Sequence, residues 1–432
     1  MRSQTVATEL QEIAKQARDH PEWVFTNLAH RMTVSFLREA YERVNKKASP
    51  GVDGVTAKKY AENLDANLKG LHQRLKAGEY YPPPVQRVWL EKEDGKKRAI
   101  GKPTFEDKIV QRAAAMLVGA VYEQDFYDFS HGYRDNHSPH QALAQLRNSC
   151  MGMKIGWIID LDVTGFFDNM KHGLMVELTN KRVKDGSLNE LIGRWLHAGV
   201  LDGKSLTHPE KGTPQGGVIS PLLANIFLHH VLDDWFVTVV RPRMKGKCFL
   251  IRFADDAVIG CEQECDARSL MAVLPKRFDR FGLTIHPTKT ALISFRKPAR
   301  QEVTDEGNGT FDFLGFTHYW TKSRRGYWVI KRRTAGKRLR RRLKEIWSWC
   351  RDNRHTPIAD QHKSLSAVLR GHIQYYGIRG NYEMLETAYE YLRKAWRYWL
   401  SRRGSEKGLT WEAFERLEAV LPLPRPRIVH AI

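Results

Sequence analysis

Two apolar stretches of this chain are interrupted by carboxylates. Asp160 and Asp162 fall within the apolar run 155–163, and Asp255 and Asp256 separate the runs 249–253 and 257–259. Each run has the composition of a buried strand. An unpaired charge there costs several kcal/mol, roughly 2–7 for a polar group and more for an ion. The carboxylates are therefore expected to meet a positively charged partner.

A divalent metal is the simplest such partner, because carboxylate oxygens are the ligands that magnesium prefers. Two ions would suit nucleotidyl transfer, in which one activates a 3′-hydroxyl and the other neutralises the leaving pyrophosphate. An Asp-Asp pair alone is weak evidence, since Asp233-Asp234 is predicted to be solvated surface at the end of an amphipathic helix. Asp255-Asp256 is favoured by its strand-turn-strand setting and by the acidic strand upstream.

The charge balance predicts a polyanionic partner. The chain has 70 Lys and Arg against 49 Asp and Glu, a formal net charge of +21, and its sequence pI is near 9.7. Solubility alone would explain a smaller excess, so nucleic acid is the favoured partner. A length of 432 residues predicts two or three packed subdomains.

The cysteines indicate a reducing compartment. They number five and are scattered, which argues against a disulfide framework, and we expect a cytoplasmic protein. Cys261 and Cys265 are close together, but no second pair follows, so zinc is a weak prediction. No apolar run approaches the length of a membrane span, and we expect no membrane association.

The periodicity of apolar residues and the turn signals predict most of the secondary structure. A β-hairpin is expected over 85–90 and 98–100, and strands over 155–163, 249–253 and 257–259. Pro21 is assigned to a first helical position, and Ser220 and Pro221 to the N-cap and first position of another helix. The predicted helices cover residues 8–47, 57–77, 106–122, 220–235, 334–352 and 385–403.

Six ordered blocks resemble reverse transcriptases of the group II intron kind. Residues 253–256, Phe-Ala-Asp-Asp, are similar to the aromatic-x-Asp-Asp box, with Phe where Tyr is usual. Residues 162–169 resemble the pattern D-I-K-G-C-F-D-N, and residues 212–226 match G-T-P-Q-G-G-x-x-S-P-L-L-A-N-I almost letter for letter. The remaining blocks are 51–54, 282–283 with 289–290, and 313–316. Residues 369–376 are similar to the G-x-x-x-Y-Y signature of the maturase region called domain X.

The resemblance implies an α+β fold, the right-hand polymerase fold. Its palm would be an antiparallel sheet, its fingers helical with a hairpin, and its thumb helical and identified with domain X. The implied division is an N-terminal helical extension at 1–47, fingers at 48–150, the palm at 151–319, and the thumb with domain X at 320–432.

The resemblance also implies the site residues. Asp162, Asp255 and Asp256 would be catalytic and, with Val163, would hold two Mg²⁺ ions. Phe167 would be the aromatic gate that excludes a ribose 2′-hydroxyl, whereas Phe166 would be a core aromatic because adjacent strand residues face opposite ways. The other nucleotide contacts would be Lys92, Arg98 and Gln215.

Basic helices of the last part of the chain are the RNA-binding candidates. On the helix predicted at 334–352, Arg340, Arg341 and Arg342 lie opposite or beside an apolar stripe, with Arg332 and Arg333 just upstream. A charged face is commonly just solvated, but this excess favours phosphate contacts. On the helix predicted at 385–403, the aromatic residues are assigned to the core and the RNA candidates are Arg393, Lys394 and Arg397.

These features favour an RNA-directed DNA polymerase that also assists splicing and retrohoming of its own intron, a mobile element. Its partners would be an RNA template, intron RNA, a DNA primer or target, and deoxynucleoside triphosphates. The sequence leaves the oligomeric state open, and it predicts no endonuclease with paired cysteines and histidines, because no cysteine follows Cys350. A free-standing relative in phage defence or DNA repair remains open, and so does a splicing factor that only binds RNA.

Overall fold

The computed structural model describes residues 5–91, 97–203, 205–207, 211–212, 216–299, 309–404 and 408–432. The chain forms two compact units. Unit 1 comprises Met1–Ser138, Ile159–Ile259 and Cys265–Ala291, and unit 2 comprises Pro139–Ile158, Gly260–Glu264 and Leu292–Ile432. The mixture of helices with largely antiparallel strands agrees with the predicted α+β class.

The helices in chain order are α1 Val6–Asp19, α2 Val34–Arg43, α3 Ala57–Ala61, α4 Leu64–Lys76, α5 Phe105–Tyr122, α6 Pro139–Gly152, α7 Phe166–Asn169, α8 His172–Thr179, α9 Gly186–Leu196, α10 Ser220–Leu228, α11 Glu264–Asp279, α12 Gly336–Asp352, α13 Ile358–Tyr376, α14 Tyr382–Leu400 and α15 Trp411–Val420. The strands are β1 Val85–Glu91, β2 Lys97–Lys102, β3 Trp157–Leu161, β4 Val163–Thr164, β5 Val200–Asp202, β6 Ser205–Thr207, β7 Cys248–Phe253, β8 Asp256–Cys261, β9 Thr284–Ile285, β10 Ala291–Ser294, β11 Phe311–Phe313, β12 Phe316–Lys322 and β13 Trp328–Thr334.

The N-terminal region holds two helices where the sequence predicted a continuous helical stretch over 8–47. Helix α1 ends at Asp19, and Pro21 lies in a turn, so its assignment to a first helical position was wrong. Proline disfavours the α region for the residue before it, and His20 accordingly has φ −131° and ψ 75°. Helix α2 begins only after Thr33, whose hydroxyl accepts a hydrogen bond from the Phe36 N–H at 3.3 Å.

Helix α5 is the centre of the unit 1 core. The Thr104 hydroxyl caps it by accepting from the Asp107 N–H at 3.3 Å. Most of its side chains are buried, which explains why its apolar residues cover more than one face. Helices α1 and α2 pack against it. The predicted helix over 106–122 is therefore confirmed within one residue.

The predicted hairpin is confirmed as β1 and β2, which pair antiparallel from Gln86↔Lys102 to Glu91↔Lys97. Strand β1 also pairs in parallel with β5, which extends the sheet to β6. In another sheet of this unit, β3, β8 and β7 are successive neighbours. Strands β4 and β9 form a short antiparallel pair.

Helix α10 is longer and less regular than predicted. It starts at Ser220 with Ile219 as N-cap, so the assignment of Ser220 to the N-cap was one residue late, and Pro221 follows in the first turn. The helical stretch contains two π-helical segments, at His229–Asp233 and Phe236–Val240, and it continues past the predicted end at Trp235 to a 3₁₀ turn at Arg241–Arg243. Each π segment widens the helix by one residue and is typical of functional sites.

The stretch Ser220–Arg243 is long and apolar enough to cross a membrane, which corrects the expectation that no run approaches this length. Among the described residues it is the one helix that passes this test, and 67% of its most apolar window is buried. A core helix of a water-soluble domain has the same length and composition, so this feature alone does not indicate a membrane protein.

Unit 2 combines the antiparallel sheet β11-β12-β13 with helices α12 to α15. The predicted helices over 334–352 and 385–403 are confirmed as α12 and α14, which pack against each other. Trp396 of α14 is fully buried at the centre of the helical core, and its indole N–H donates to the Gln361 amide oxygen at 2.9 Å. The members of this core are Ile346, Cys350, Leu365, Leu369, Ile373, Leu392, Ala395, Trp396, Leu400, Phe414 and Leu423.

Trp396→Ala should therefore destabilise unit 2 by about 3–5 kcal/mol, because it removes a large buried side chain and leaves Gln361 without its donor. Trp89→Ala is the matched control, since that side chain is 45% exposed and its loss should cost about 1 kcal/mol or less. Denaturant unfolding would measure both changes. Equal losses for the two variants would contradict the assignment of Trp396 to the core.

Candidate active site

The acidic turn connects the antiparallel strands β7 and β8. Ala254 adopts φ +57°, a left-handed conformation that is uncommon for a residue with a side chain and is typically found at functional turns. Asp255 follows half-buried, and Asp256 begins β8 exposed to solvent. The strand-turn-strand setting predicted for this pair is thus confirmed, and it directs two carboxylates to the same end of a sheet.

Asp162 lies where β3 ends and β4 begins, next to β8 in the sheet. Its backbone is held on both sides, because its carbonyl accepts from the His286 N–H at 2.8 Å and its N–H donates to the Thr290 hydroxyl at 3.1 Å. The Lys289 ammonium is 3.5 Å from a carboxylate oxygen of Asp162. The Lys-Thr block at 289–290 therefore orients the first carboxylate.

Asp162 and Asp255 act on each other electrostatically. Burial raises the pKa of Asp255 above its usual value, and the negative charge of Asp162 raises it further. A backbone hydrogen bond and the positive charge of Arg98 oppose this rise. Two carboxylates from neighbouring strands thus face a cation supplied by the β1–β2 hairpin.

The donor set fits a hard divalent ion. Among the described residues no group of three or more His, Cys, Asp or Glu side chains is arranged to hold a metal. Magnesium is usually bound in polymerase sites by one or two carboxylates together with substrate phosphates and water, so a preformed protein cage is not required. The residues predicted to hold it are Asp162 and Asp255, with Asp256 beside them.

Val163 begins β4 directly after Asp162. Val163 pairs with Ile285, and the hydrogen bond from the His286 N–H to the Asp162 carbonyl makes this a non-hydrogen-bonded pair. The Val163 carbonyl consequently points away from β9 rather than into the ladder. That orientation is compatible with its predicted role as a metal ligand.

Arg252, immediately before the acidic turn, is fully buried and uses all five of its N–H donors. Two go to the carboxylate of Asp233, at 2.8 and 2.6 Å. The others go to the Asn225 amide oxygen at 3.0 Å, the Ala254 carbonyl at 2.9 Å and the Ser130 hydroxyl at 2.6 Å. The guanidinium therefore connects α10, the segment at Ser130 and the turn that carries the carboxylates.

Asp233 is buried, so the prediction that Asp233-Asp234 is solvated surface was wrong for its first member. The sequence pattern misled because π-helical geometry changes which side chains face inward. Asp234 is half-buried and accepts from the Tyr127 hydroxyl at 3.2 Å. Neither Arg252 nor Asp233 was singled out from the sequence, although a basic residue inside an apolar strand was a usable signal.

The segment 130–133 packs against the acidic turn between β7 and β8. A Cβ added to Gly132 would lie 2.1 Å from the Ala254 nitrogen, so only glycine allows this approach. The Gly132 carbonyl accepts from the Asn225 amide at 2.7 Å, and the His131 N–H donates to the Arg252 carbonyl at 2.9 Å. Tyr133 follows with φ +60°. Burial raises the pKa of its phenol, and the negative charge of Asp255 raises it further.

The predicted nucleotide contacts are only partly described. Lys92 and Gln215 lie outside the described residues. Arg98 lies on β2, opposite Leu90, and is close enough to Asp255 to lower its pKa. Gly216, directly after Gln215, packs so tightly on β2 that an added Cβ would lie 2.5 Å from the Gly101 carbonyl oxygen. Gly216, which belongs to the glycine-rich loop at 212–217, therefore lies directly against the β1–β2 hairpin, an approach that glycine allows because it has no side chain.

Phe167 lies in the short helical turn α7, not in a strand, so the argument from strand alternation was wrong. Both Phe166 and Phe167 are buried, at 2% and 6% exposure, and their rings meet edge to face at 5.2 Å. The ring of Phe166 also contacts Phe227 of α10. Its core assignment is confirmed, whereas the gate role of Phe167 stays a prediction.

Two further blocks of unit 2 contact each other. The turn at Leu314 and Gly315 is left-handed, with φ +49° and +79°. The Tyr375 hydroxyl donates to the Leu314 carbonyl at 2.9 Å, and an added Cβ on Gly315 would meet the Tyr376 hydroxyl at 3.0 Å. The Phe-Leu-Gly block and the Tyr-Tyr motif thus form one packed element.

The basic face of α12 has the predicted arrangement, with Arg340 and Arg341 exposed and Arg342 half-buried. Arg341 and Arg342 both pair with Glu345, at 3.3 and 3.1 Å, which reduces the charge they present. Arg332 does not belong to this face. It is buried in β13 and donates to the carbonyls of Leu143 and Ile432, which corrects its inclusion.

On α14, the guanidinium of Arg393 is held by Glu418 at 2.6 Å and by Glu390 at 3.1 Å. Arg397 donates to the Leu409 carbonyl at 2.7 Å and lies over the Trp411 ring. Both side chains thus have partners within the protein, whereas Lys394 is exposed. Of the three residues predicted here, Lys394 is the one best placed for RNA.

The sequence model of the reverse transcriptase (RNA-dependent DNA polymerase) family matches residues 90–318, more than half of the chain. The chain belongs to the reverse transcriptase family. The matched range contains both acidic segments, the glycine-rich loop and the Arg252 network. The family implies a divalent metal requirement and nucleic acid substrates with an RNA template.

Curated relatives of this chain include intron proteins. The chain is 37% identical over 239 residues to the group II intron-encoded protein LtrA of Lactococcus lactis subsp. cremoris, which covers 54% of this chain and 39% of the relative. It is 36% identical over 184 residues to protein YkfC of Escherichia coli K12, covering 42% and 48%. A putative COX1/OXI3 intron 1 protein of Saccharomyces cerevisiae is 30% identical over 251 residues, covering 56% and 29%. The chain thus spans less than half the length of these relatives, and it is homologous to group II intron proteins over the matched part.

Asp233→Asn should destabilise unit 1 by about 3–5 kcal/mol, because it leaves the buried charge of Arg252 without a counter-charge. Asp234→Asn changes the neighbouring residue in the same way but should cost about 1 kcal/mol or less, since that carboxylate is only half-buried. Denaturant unfolding measures both. A small, equal effect would show that Asp233 is solvated, as the sequence had indicated.

Proposed function

We propose that this chain is an RNA-directed DNA polymerase of the group II intron type that copies RNA into DNA. The observation that carries the proposal is the pair of carboxylates, Asp162 and Asp255, brought together from neighbouring strands and faced by Arg98. Family membership supports the reaction class. A protein that only binds RNA would have no need of this half-buried, electrostatically coupled pair.

The parts of the right hand follow from this assignment. The β3-β8-β7 sheet would be the palm, the β1–β2 hairpin with α1 to α5 the fingers and N-terminal extension, and α12 to α15 the thumb with domain X. The domain limits predicted above, 1–47, 48–150, 151–319 and 320–432, stay our proposal for this division.

Each residue of the site would have its own role in nucleotidyl transfer. Two bound Mg²⁺ ions would activate the primer 3′-hydroxyl and neutralise the leaving pyrophosphate. Asp162 and Asp255 would hold them, with Asp256 and the Val163 carbonyl beside them. Arg98, whose positive charge lowers the pKa of Asp255, would contact the triphosphate.

The partners follow from the same chemistry. We propose an RNA template, a DNA primer or target, deoxynucleoside triphosphates, and the intron RNA whose splicing and retrohoming the protein would assist. Homology to intron proteins supports the intron RNA, and the basic face of α12 supports phosphate contacts by Arg340, Arg341 and Arg342. None of the five cysteines, all of which lie in the described part of the chain, forms a disulfide, which supports a reducing compartment such as the cytoplasm.

Asp255→Asn should lower cDNA synthesis by several orders of magnitude while RNA affinity stays near that of the wild type, because the metals need the charge and the template does not. Primer extension on an RNA template with magnesium measures the first effect, and RNA titration the second. Asp279→Asn, at an exposed helix end, is the matched control and should extend normally. Extension by the Asp255 variant within tenfold of wild type would refute the proposed function.

Phe167→Val should change sugar selectivity, because a smaller side chain leaves room for a ribose 2′-hydroxyl. We expect ribonucleotide incorporation to rise about tenfold or more relative to deoxynucleotide incorporation. Phe166→Val is the control for packing, since its ring contacts Phe227 in the core. A parallel fall for both sugars in both variants would assign Phe167 to packing and place the gate elsewhere.

A further inference from the structure

The β12–β13 hairpin of unit 2 has two contrasting faces. Phe316, Trp320 and Ile330 point inward and are at most 3% exposed. Because side chains alternate along a strand, the opposite face carries Tyr319 and, on the paired strand, Lys331 and Arg333. Arg333 is exposed, and its guanidinium stacks on the Tyr319 ring at 5.0 Å from the centroid. One face of the hairpin therefore belongs to the core, and the other carries cationic side chains next to the Tyr319 ring.

The tip of the hairpin continues this outer face. The turn is closed by a hydrogen bond from the Ser323 N–H to the Tyr327 carbonyl at 2.8 Å and one from the Tyr327 N–H to the Ser323 hydroxyl at 3.2 Å. Arg324 and Arg325 are exposed within it, and the Tyr327 ring is 66% exposed. An ordered turn thus displays two guanidinium groups next to an accessible aromatic ring.

Positive charge predominates on this surface. Its acidic neighbours are Asp312 and Glu383. The Asp312 carboxylate accepts from the Thr317 hydroxyl at 2.5 Å. Burial raises the pKa of Tyr319, and the negative charge of Glu383 also raises it. Within the described parts of the chain, Arg324, Arg325 and Arg333 form no ion pair with a carboxylate. Their charges consequently remain available to a ligand.

Guanidinium groups beside an accessible aromatic ring match the chemistry of single-stranded nucleic acid, whose phosphates need cations and whose bases stack on aromatic rings. A regular RNA duplex is a poorer fit, because its major groove is too narrow for side chains and its bases are already stacked. An acidic protein surface would use the cations but would leave the exposed ring without a matching partner. The surface therefore fits an unpaired, flexible segment of RNA.

We propose that the tip and outer face of the β12–β13 hairpin bind an unpaired segment of structured RNA. Its phosphates would contact Arg324, Arg325 and Arg333, and one of its bases would stack on Tyr327. The inference rests on the proposed function for the presence of such an RNA partner. It assigns the contact to residues other than the carboxylates, the predicted nucleotide contacts and the basic residues of α12 and α14.

The experiment titrates a labelled RNA stem–loop with an unpaired loop at several salt concentrations. Arg324→Gln with Arg325→Gln should weaken binding and flatten the log–log salt dependence by about 0.7–0.9 for each phosphate group that is no longer neutralised. Arg351→Gln with Arg416→Gln is the matched control, because it removes the same charge from exposed residues that pair with Asp352 and Glu412. The control should leave the salt slope unchanged.

Tyr327 separates stacking from charge. Tyr327→Ala should weaken binding about 5-fold or more with little change in salt slope, whereas Tyr327→Phe keeps the ring and should bind like wild type. Circular dichroism and melting temperature check that each variant is folded. An arginine variant with the slope of its control, or equal affinities for the two Tyr327 variants, would overturn the proposal.

Primer extension on a short, unstructured primer–template distinguishes this proposal from the proposed function. Variants that lose stem–loop binding but extend like wild type support a separate RNA surface. A loss of extension in proportion to binding would overturn it, because the hairpin would then hold the primer–template. Absence of extension by the wild type would refute the polymerase function alone, and the stem–loop titration would still decide the role of the hairpin.

Discussion

The buried ion pair between Arg252 and Asp233 is the interaction on which the active site depends. Neither side chain is exposed, and removing either partner would leave an uncompensated charge that costs about 3–5 kcal/mol. All five donors of the guanidinium are used, so the group can occupy only one position. Because one donor holds the Ala254 carbonyl, that position also sets the left-handed turn that carries Asp255.

The surrounding motifs fix the position of this turn and of Asp162 at the end of β3. Asn225, from the block that begins with the glycine-rich loop, accepts from Arg252 and donates to the Gly132 carbonyl. Gly132 in turn lies against Ala254, where no side chain would fit. Thr290 and Lys289 hold Asp162 in a similar way from the segment between β9 and β10. Residues that never touch substrate thus fix the two carboxylates, and this rigidity is what metal-dependent nucleotidyl transfer requires.

Much of this could be predicted from the sequence, and the failures have physical reasons. Periodicity predicted α12 and α14, and the turn residues of the β1–β2 hairpin predicted its pairing. The carboxylates could be predicted from the sequence, because a charge inside an apolar strand is costly and therefore indicates a function. Asp233 was missed because π-helical segments alter which face of α10 is buried. Arg332 and Arg393 were assigned to the basic surface because a sequence does not show which carbonyl or carboxylate a guanidinium will meet.

The central claim is that Asp162 and Asp255 hold the divalent ions of a polymerase, and metal binding tests it directly. Manganese, which substitutes for magnesium and is visible by electron paramagnetic resonance, can be titrated into the protein with a primer–template and a non-hydrolysable deoxynucleotide analogue. The account predicts two bound ions for the wild type and the loss of at least one in both Asp162→Asn and Asp255→Asn. Two ions retained with unchanged affinity in both variants would contradict it.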